Sequence, residues 1–444
     1  MDSTDESLQS LQPLPVHSVG FRNESLVYTL SDGTQDAVTA DEVLFALDLT
    51  PSARGFIVCC LREGVDTQCN LLLLTTDALP AELQPIISQL PRHLCRKDGS
   101  QVHIIVSTHS GTGLAPTFWR TVLRPLLHLV CDMFGARPPD EALMTDGVRA
   151  VRDFGVRLRG GRGEQTVILL SGDGGVADLL DGYGVEEADT KPTIALLPLG
   201  TGNALFHSLH RLSPDDDGSA GSSPLAKGLR TLFLGEAAGL PIFRASFSPG
   251  SRLATSSDDD DDDDESKPVS YIHGAIVASF AFHASLIHES DTRQYRLHGA
   301  QRFSLVAENL LQQPHAYRAE VTTDGETLPH DEHGYLVIAM TSNLERTFTI
   351  SPASRPLDGR LHLVRLGDLA ADRVVQVMQR AYAGGSHVGL AWDDGEAVLY
   401  REVADVRVRL WDESERWRKV CVDGTIVLVP RGGEVRVWGL GVRP

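Results

Sequence analysis

Between residues 99 and 235, short apolar runs alternate with segments whose apolar residues recur at helical spacing. VHIIVS (102–107), TVILLS (166–171) and TIALLP (193–198) are each typical of a buried strand, and each precedes a glycine-rich turn and a helical pattern. The helix after the second turn repeats its apolar residues at i, i+3, i+4 and i+7. Three such units predict a doubly wound α/β domain over 99–235, whose ligand would bind at the carboxyl ends of the strands, where the turns lie.

The chain on either side of this region has a different pattern. Residues 1–98 combine short β-like runs with LPAELQPIISQL, whose spacing predicts a closing helix. This order resembles a small pleckstrin-homology (PH)-like module, and a plain packing domain is the alternative. Residues 236–444 contain five β-like runs and one helical stretch near 295–312, which predict a β-rich, β-sandwich-like substrate domain. The predicted fold class is therefore α/β plus all-β.

Two polar tracts interrupt these patterns, at 213–224 and 248–268. The second contains the run Asp258–Asp264, and its composition predicts a disordered acidic insertion. Calcium binding is the alternative, but the run lacks the glycine and terminal glutamate of an EF-hand loop. The formal net charge of the whole chain is −20, which argues against a nucleic-acid partner.

No apolar stretch approaches the roughly 18 residues of a membrane span. The N-terminus, MDSTDESLQS, lacks the basic and apolar regions of a signal peptide. We therefore expect a cytoplasmic protein whose membrane contact, if any, is peripheral. The six cysteines form no C-x-x-C pair and the histidines no H-E-x-x-H motif, so no protein-bound metal site is predicted.

The three glycine-rich turns carry the candidate chemistry. Glycine allows close backbone approach, and exposed N–H groups at a helix N-terminus can hold phosphate oxygens. The third turn follows a strand and opens a helix, as a phosphate site requires, although Asn203 could equally be a helix cap with Gly202 a steric necessity. The second turn differs because Asp173, an acid, stands among its glycines. The turns are Ser110-Gly111-Thr112-Gly113, Ser171-Gly172-Asp173-Gly174-Gly175 and Gly200-Thr201-Gly202-Asn203.

The order STHSGTG, SGDGG and LPLGTGNAL, each after a strand, resembles the catalytic region of the diacylglycerol kinase and sphingosine kinase superfamily, which has an ATP-NAD kinase-like fold. Fainter similarity continues through YRLHGAQRF, SPASRPLDGRLHLV and VCVDGTIV, so the resemblance covers about residues 100–430. Within the superfamily the second turn, followed by Asp178, is most similar to sphingosine kinases.

The resemblance implies ATP-dependent phosphorylation of a lipid hydroxyl, with Mg²⁺ bridging the phosphates. Asp173 and Gly174 would be catalytic, with Asp173 as the general base or hydroxyl-orienting group. Asp178, Glu289 and Asp291 would face the lipid substrate. The nucleotide would be held by Ser110, Gly111, Thr112, Gly113, Ser171, Gly172, Thr201, Gly202, Asn203, Arg296, Arg302 and Asp423.

Three departures from the superfamily pattern leave alternatives open. Ser107-Thr108 replaces Asn-Pro before the first turn, and Thr425 replaces the glutamate of a D-G-E motif. The acids that anchor a sphingoid ammonium align only with a shift, to Glu289 and Asp291. This shift weakens the sphingoid assignment specifically, and the first hypothesis is a lipid kinase that phosphorylates a sphingoid base or a related lipid. A kinase of a soluble substrate on the same fold is one alternative. A diacylglycerol or ceramide kinase, and a member that binds nucleotide or lipid without phosphoryl transfer, are the others.

Overall fold

The chain folds into two compact units that alternate along the sequence. Unit 1 comprises Met1–Gly172, Tyr183–Gly200 and Gly221–Ala237, and unit 2 comprises Asp173–Gly182, Thr201–Ala220 and Ala238–Pro444. The computed structural model describes residues 12–52, 54–64, 69–95, 100–108, 111, 113–139, 141–147, 149–185, 190–211, 222–254, 267–299, 301–355, 357–367 and 370–440.

A seven-stranded sheet forms the N-terminal part of unit 1, in the order β3-β2-β1-β6-β5-β4-β7. The helix predicted for LPAELQPIISQL is wrong, because this segment is non-helical and contains a two-residue strand. Pro80 and Pro85 explain the difference, since proline removes an N–H donor and disfavours helical backbone at the preceding residue. The strands are β1 Leu14–Arg22, β2 Ser25–Leu30, β3 Gln35–Thr39, β4 Val43–Asp48, β5 Phe56–Glu63, β6 Cys69–Thr76 and β7 Ile86–Ile87.

A four-stranded parallel sheet follows, in the order β11-β10-β8-β9. Its strands are β8 Gln101–Val106, β9 Ala142–Met144, β10 Gln165–Ser171 and β11 Thr193–Pro198. The predicted α/β architecture is confirmed, and β9 is an additional strand, too short for its periodicity to be recognised in the sequence. The helices are α1 Ala115–Phe118, α2 Arg124–Met133, α3 Ala150–Arg159, α4 Asp173–Tyr183, α5 Ala204–Leu209 and α6 Pro224–Leu234, with a π-helical turn joining α1 and α2.

One apolar core joins the two sheets of unit 1. Phe45 of β4 and Phe233 of α6 are both buried in it, with ring centroids 5.0 Å apart. On the same helix, Arg230 Nε donates a hydrogen bond to the Val43 carbonyl at 2.9 Å. The N-terminal sheet is thus built into unit 1 rather than tethered beside it.

Unit 2 contains two antiparallel sheets with a shared core. The first has the order β14-β12-β25-β22-β16-β17, with β18 on β16, and the second β13-β24-β23-β15-β19-β20-β21. The strands are β12 Phe243–Phe247, β13 Arg252–Leu253, β14 Tyr271–Gly274, β15 Val277–Ala281, β16 Tyr317–Thr323, β17 Glu326–Thr327, β18 Glu332–His333, β19 Tyr335–Ala339, β20 Leu361–Leu366, β21 Leu399–Val403, β22 Asp405–Leu410, β23 Lys419–Val422, β24 Thr425–Leu428 and β25 Glu434–Gly439.

Alternation along the strands builds this core. In β16, Tyr317, Ala319 and Val321 are buried with residues of both sheets, while Arg318 and Glu320 are exposed. The predicted β-rich, sandwich-like region is confirmed. The helix predicted near 295–312 is divided at Gly299, whose φ is +55°. The helices are α7 Phe282–Ser290, α8 Arg293–Arg296, α9 Gln301–Gln312 and α10 Ala371–Tyr382.

The tract predicted as a disordered insertion over 248–268 is ordered at its start. Ser251 is buried, and its hydroxyl donates to the Ser248 carbonyl at 2.8 Å. The next two residues form β13 and pair with β24. The run Asp258–Asp264 lies outside the described residues, as does most of the tract 213–224.

Phe45→Ala should lower the free energy of unfolding by about 3–5 kcal/mol, because it removes a fully buried ring from the core that joins the two sheets of unit 1. Urea denaturation measures the loss, and Leu14→Ala, at a side chain 39% exposed, is the control. Hydrogen exchange of β8 and β10 tests the shared core directly. Unchanged protection of those strands in Phe45→Ala would contradict it.

Candidate functional site

Asp173 begins α4 directly after β10, and its carboxylate lies on the N-terminus of α5. Oδ2 accepts a hydrogen bond from the Ala204 N–H at 2.7 Å, and Oδ1 accepts one from the Leu205 N–H at 3.1 Å. The Asp173 N–H in turn donates to the Gly202 carbonyl at 3.1 Å. The second and third predicted motifs therefore meet through one carboxylate, which satisfies two otherwise unpaired helix donors.

The loop before α5 is shaped by this contact. A Cβ atom at Gly202 would lie 3.2 Å from Asp173 Oδ2, so this glycine leaves room for the carboxylate. Asn203 occupies the N-cap position but its side chain makes no capping hydrogen bond. Asp173 is the capping group instead, which corrects the expectation that Asn203 could cap the helix. Thr201, in the same loop, is partly buried.

In unit 1, the first turn packs on the start of the third. Gly111 has φ +61°, and a Cβ there would clash with the Leu199 carbonyl oxygen. The Leu199 N–H donates to the carbonyl of the buried Ser171 at 3.2 Å, where β10 ends before Gly172. Ser110 and Thr112 lie outside the described residues, and Gly113 has φ +74° with no atom within 4 Å of its Cβ position.

Thr108, which replaces a proline of the superfamily pattern, makes its own contacts. Its N–H donates to Thr145 Oγ1 at 3.0 Å, and its hydroxyl donates to the Thr145 carbonyl at 2.6 Å. Proline could make neither bond. The threonine at position 108 therefore attaches the chain just before the first turn to the segment after β9 through these two hydrogen bonds.

Asp423 is a second buried carboxylate, in the turn between β23 and β24 at φ +46°. Its oxygens accept hydrogen bonds from the N–H groups of Ala275 at 2.6 Å, Val277 at 2.7 Å and Ile276 at 3.2 Å. It thus fixes the backbone between β14 and β15. The hydrogen bonds of this carboxylate are thus to the backbone, and its role in nucleotide binding stays a prediction.

The two carboxylates share an unusual electrostatic environment within unit 2. Burial raises the pKa of Asp173 to about 6, although the N–H groups of Ala204 and Leu205 lower it. Burial also raises the pKa of Asp423 to about 7, against its three N–H donors and with a further increase from the Asp173 charge. Each carboxyl group therefore exchanges its proton near neutral pH.

The two predicted arginines meet on Asp291. Arg296 donates through Nε and a terminal nitrogen to its two carboxylate oxygens, at 3.1 and 2.7 Å. A terminal nitrogen of Arg302 lies 3.6 Å from the same carboxylate, and burial lowers the pKa of Arg302. Asp291 holds both arginines together and offsets part of their charge, and its contact with substrate stays a prediction.

Glu289, the other predicted substrate acid, lies among cations. Its carboxylate forms an ion pair with Arg416 at 3.2 Å. Lys419 is buried, and burial lowers its pKa while the Glu289 charge raises it. Burial and the Lys419 charge lower the pKa of His288 to about 4. The fold thus provides its own positive charges for this acid, from β23 and the residues before it.

The remaining predicted residues lie on α4. Gly174 is exposed in the first turn, with no atom within 4 Å of its Cβ position, and Asp178 is partly buried one turn later. The sequence analysis did not identify the residues that anchor α5, which are Ser208 and Asn343. Ser208 accepts the Asn343 N–H at 3.1 Å, and Asn343, 3% exposed, donates from Nδ2 to Thr349 Oγ1 at 3.2 Å. The polar pair Ser-Asn directly after the run YLVIAMT was its available signal.

Comparison with known proteins agrees with this arrangement. Residues 101–236 match the family model described as the diacylglycerol kinase catalytic domain. This segment contains the first turn, Asp173 and the loop before α5. No curated protein matches the chain. Residues 101–236 are therefore similar to a diacylglycerol kinase catalytic domain, and the comparison does not distinguish the sphingosine kinase subgroup.

Solved structures extend the likeness beyond this segment. A protein of Bacillus anthracis strain Sterne, described as a diacylglycerol kinase, superposes with a TM-score of 0.51 at 15% identity, covering 77% of this chain and 94% of its own. A further structure with the same description and source gives a TM-score of 0.50 at 14% identity, with the same coverage. At these identities the likeness establishes the fold.

Gly111→Ala should destabilise the protein at least twice as much as Gly113→Ala. Both glycines have positive φ, so alanine costs about 1–2 kcal/mol at either position. Only at Gly111 does the added methyl also meet a backbone carbonyl. Urea denaturation of the two variants measures the difference, and equal losses would show that the first turn does not pack on Leu199 as described.

The contribution of Asp423 to stability should fall as pH rises from 5 to 8. Its pKa in the folded chain, about 7, lies above the unfolded value of 3.8, so the folded state holds the proton more tightly. The stabilisation is therefore complete below the unfolded pKa and is lost as pH rises through the folded one. Thermal denaturation should show wild type losing Tm relative to Asp423→Asn over this range. Parallel curves would contradict the raised pKa.

Proposed function

We propose that the protein is an ATP-dependent lipid kinase, which transfers the γ-phosphoryl group of ATP to a lipid hydroxyl. The contact of Asp173 with the N-terminus of α5 carries the proposal, because it joins a carboxylate to the G-T-G-N loop. Phosphoryl transfer needs positioned phosphates and a group that accepts the alcohol proton. The family match over residues 101–236 supports the same chemistry.

Asp173 is the proposed general base. Two N–H donors hold its carboxylate in place, and each oxygen retains a lone pair for the acceptor hydroxyl. With a pKa of about 6, the carboxylate is largely ionised at neutral pH yet basic enough to take a proton. The lipid oxygen would form a bond to the γ-phosphorus. At the same time, the bond between the γ-phosphorus and the oxygen that bridges it to the β-phosphate would break. ADP leaves, and the hydroxyl proton moves to Asp173.

Backbone groups of the three turns are the proposed nucleotide ligands. The positive φ at Gly111 and Gly113 allows a tight phosphate-binding turn, whose Ser110 and Thr112 hydroxyls would add donors. Ser171 and Gly172 precede the base, and Thr201, Gly202 and Asn203 precede α5.

Magnesium would accompany the nucleotide in this proposal. Among the residues that the structure describes, no group of three or more His, Cys, Asp or Glu side chains could hold a metal ion. Asp423 could contribute little, since backbone N–H groups already occupy its carboxylate. The Mg²⁺ ion would neutralise phosphate charge when bound, and Arg302 and Arg296 would add positive charge of their own.

A neutral lipid is the better acceptor class. A sphingoid base carries an ammonium group, which needs a carboxylate partner when it is buried. Glu289 already has Arg416 and Lys419 beside it, and Asp291 holds two arginines. These acids therefore favour a diacylglycerol- or ceramide-type hydroxyl over a sphingoid base. Asp178 is left as the candidate contact to the acceptor.

Asp173→Asn should reduce kcat at least 100-fold with ATP binding retained, since it removes the proton acceptor but keeps one acceptor for α5. The assay is transfer of label from ATP, with Mg²⁺, to diacylglycerol, ceramide and sphingosine in neutral detergent micelles. Asp331→Asn, at an exposed acid, is the matched control. Phosphorylation by Asp173→Asn at the wild-type rate would exclude the assigned base.

Two other outcomes of this assay are informative. Faster transfer to sphingosine than to diacylglycerol or ceramide would overturn the neutral acceptor. Binding of ATP with no labelled lipid from wild type would favour the second candidate, a protein that binds nucleotide without transfer. Thr425, in place of the superfamily's glutamate, is the observation behind that candidate.

A further inference from the structure

The short helix α5 is held at both ends by residues from elsewhere in unit 2. At its start, Asp173 accepts the N–H groups of Ala204 and Leu205. At its end, the Ser208 hydroxyl accepts the Asn343 N–H at 3.1 Å and donates to the Asn343 carbonyl at 3.3 Å. A helix of six residues is too short to be stable by itself, so its position depends on such contacts.

Asn343 belongs to a buried loop that its own side chain stabilises. Its Nδ2 donates to Thr349 Oγ1 at 3.2 Å, and its Oδ1 accepts the Ser342 hydroxyl at 2.8 Å. Just before these residues the loop is joined to the core of unit 2, since the Met340 N–H donates to the Ile276 carbonyl at 2.9 Å. The end of α5 is therefore attached to a fixed part of the fold.

Helix stability alone does not account for the serine at position 208. The other buried residues of α5 are the apolar Ala204, Leu205 and Phe206. Serine is a weaker helix former than alanine, and a buried hydroxyl costs free energy unless it is hydrogen-bonded. Here the hydroxyl bonds to both backbone groups of Asn343, and it thereby sets the distance of the helix end from the loop.

We propose that Ser208 is a positioning residue for the base. By holding the end of α5 on Asn343, it keeps the first N–H groups of the helix aligned on the Asp173 carboxylate. The role of Asp173 as a base rests on the proposed function. Burial raises the pKa of Asp173, and the N–H groups of Ala204 and Leu205 lower it. A displaced α5 would therefore deprive the carboxylate of its orientation and of two groups that favour its ionised form.

An NMR titration of the Asp173 carboxyl carbon in the full-length protein tests the contact without relying on catalysis. In Ser208→Ala we expect the pKa of Asp173 to rise by about half a pH unit, because the N–H donors of α5 are less well aligned. Ser208→Thr keeps a hydroxyl and should restore the wild-type pKa, and Asp173→Asn identifies the signal. The turn between β23 and β24 presents Asp423, whose pKa responds to the Asp173 charge, and this acid is unchanged in every variant.

Kinetics of lipid phosphorylation separate positioning from a general loss of stability. Ser208→Ala should lower kcat about tenfold at neutral pH, and the acidic limb of its kcat profile should move to higher pH. The matched control is Ser251→Ala, which removes a buried serine hydroxyl of unit 2 that donates to the Ser248 carbonyl, and it should retain the wild-type kcat and profile. In the Asp173→Asn background, Ser208→Ala should lower kcat less than about twofold, since the group it positions is gone.

Several outcomes would overturn the proposal. An unchanged pKa of Asp173 in Ser208→Ala would show that the start of α5 stays in place without this contact. A higher KM for ATP with an unchanged kcat would assign Ser208 to the phosphate-binding loop instead. Equal losses of kcat in Ser208→Ala and Ser251→Ala would show that Ser208 contributes only to stability.

A milder variant serves if Ser208→Ala does not fold. Thr349→Val removes one hydrogen bond of the Asn343 side chain and should raise the pKa of Asp173 by a smaller amount, whereas an unchanged pKa would contradict the proposal. The titration also separates this proposal from the proposed function. If wild type has no kinase activity but the pKa of Asp173 rises in Ser208→Ala, the positioning contact stands and the assignment of Asp173 as a base fails.

Discussion

The carboxylate of Asp173 is the constraint on which the candidate site depends. It accepts the first free N–H groups of α5, from Ala204 and Leu205, while its own N–H binds the Gly202 carbonyl. A helix of six residues cannot stabilise itself, and its end donors must find acceptors. The carboxylate of Asp173 therefore holds the loop before α5 in place, and the Gly202 carbonyl of that loop in turn holds the backbone of Asp173. Because α4 starts at the same residue, this contact also ties the start of α4 to the start of α5.

This reciprocal contact explains both what the sequence revealed and what it concealed. An acid among glycines after a buried strand indicated chemistry at Asp173, and three strands of the parallel sheet followed from uninterrupted apolar runs. The partner of that acid lies 31 residues away, and no local pattern encodes a pairing across that distance. The sequence offered Asn203 as a possible cap, as an equal alternative to phosphate binding, since asparagine is a common N-cap residue. The N-terminus of α5 does need a capping group, but the residue preference pointed to Asn203, whereas the group that caps the helix is Asp173.

Other differences arise from the same gap between local pattern and tertiary contact. The spacing of LPAELQPIISQL suits a helix, but two prolines restrict its backbone, and Ile87 packs in the core of unit 1. β9 is too short to produce a pattern, and it is recognisable only by its pairing with β8. Ion pairs are harder to predict from the sequence than these short elements. Nothing near Glu289 in the sequence indicates Arg416 or Lys419, which reach it from more than 120 residues away.

Asp423 and Asp173 are both held by backbone N–H donors, and they differ in how many of these donors they accept. Asp423 accepts three N–H groups and is nearly inaccessible, so its oxygens are occupied by the turn they hold. Asp173 accepts two such bonds, one on each oxygen, and the residue as a whole is partly buried. The charge of Asp173 raises the pKa of Asp423 further, so ionisation of one carboxyl group opposes ionisation of the other. An ionised Asp173 is the form that a general base requires.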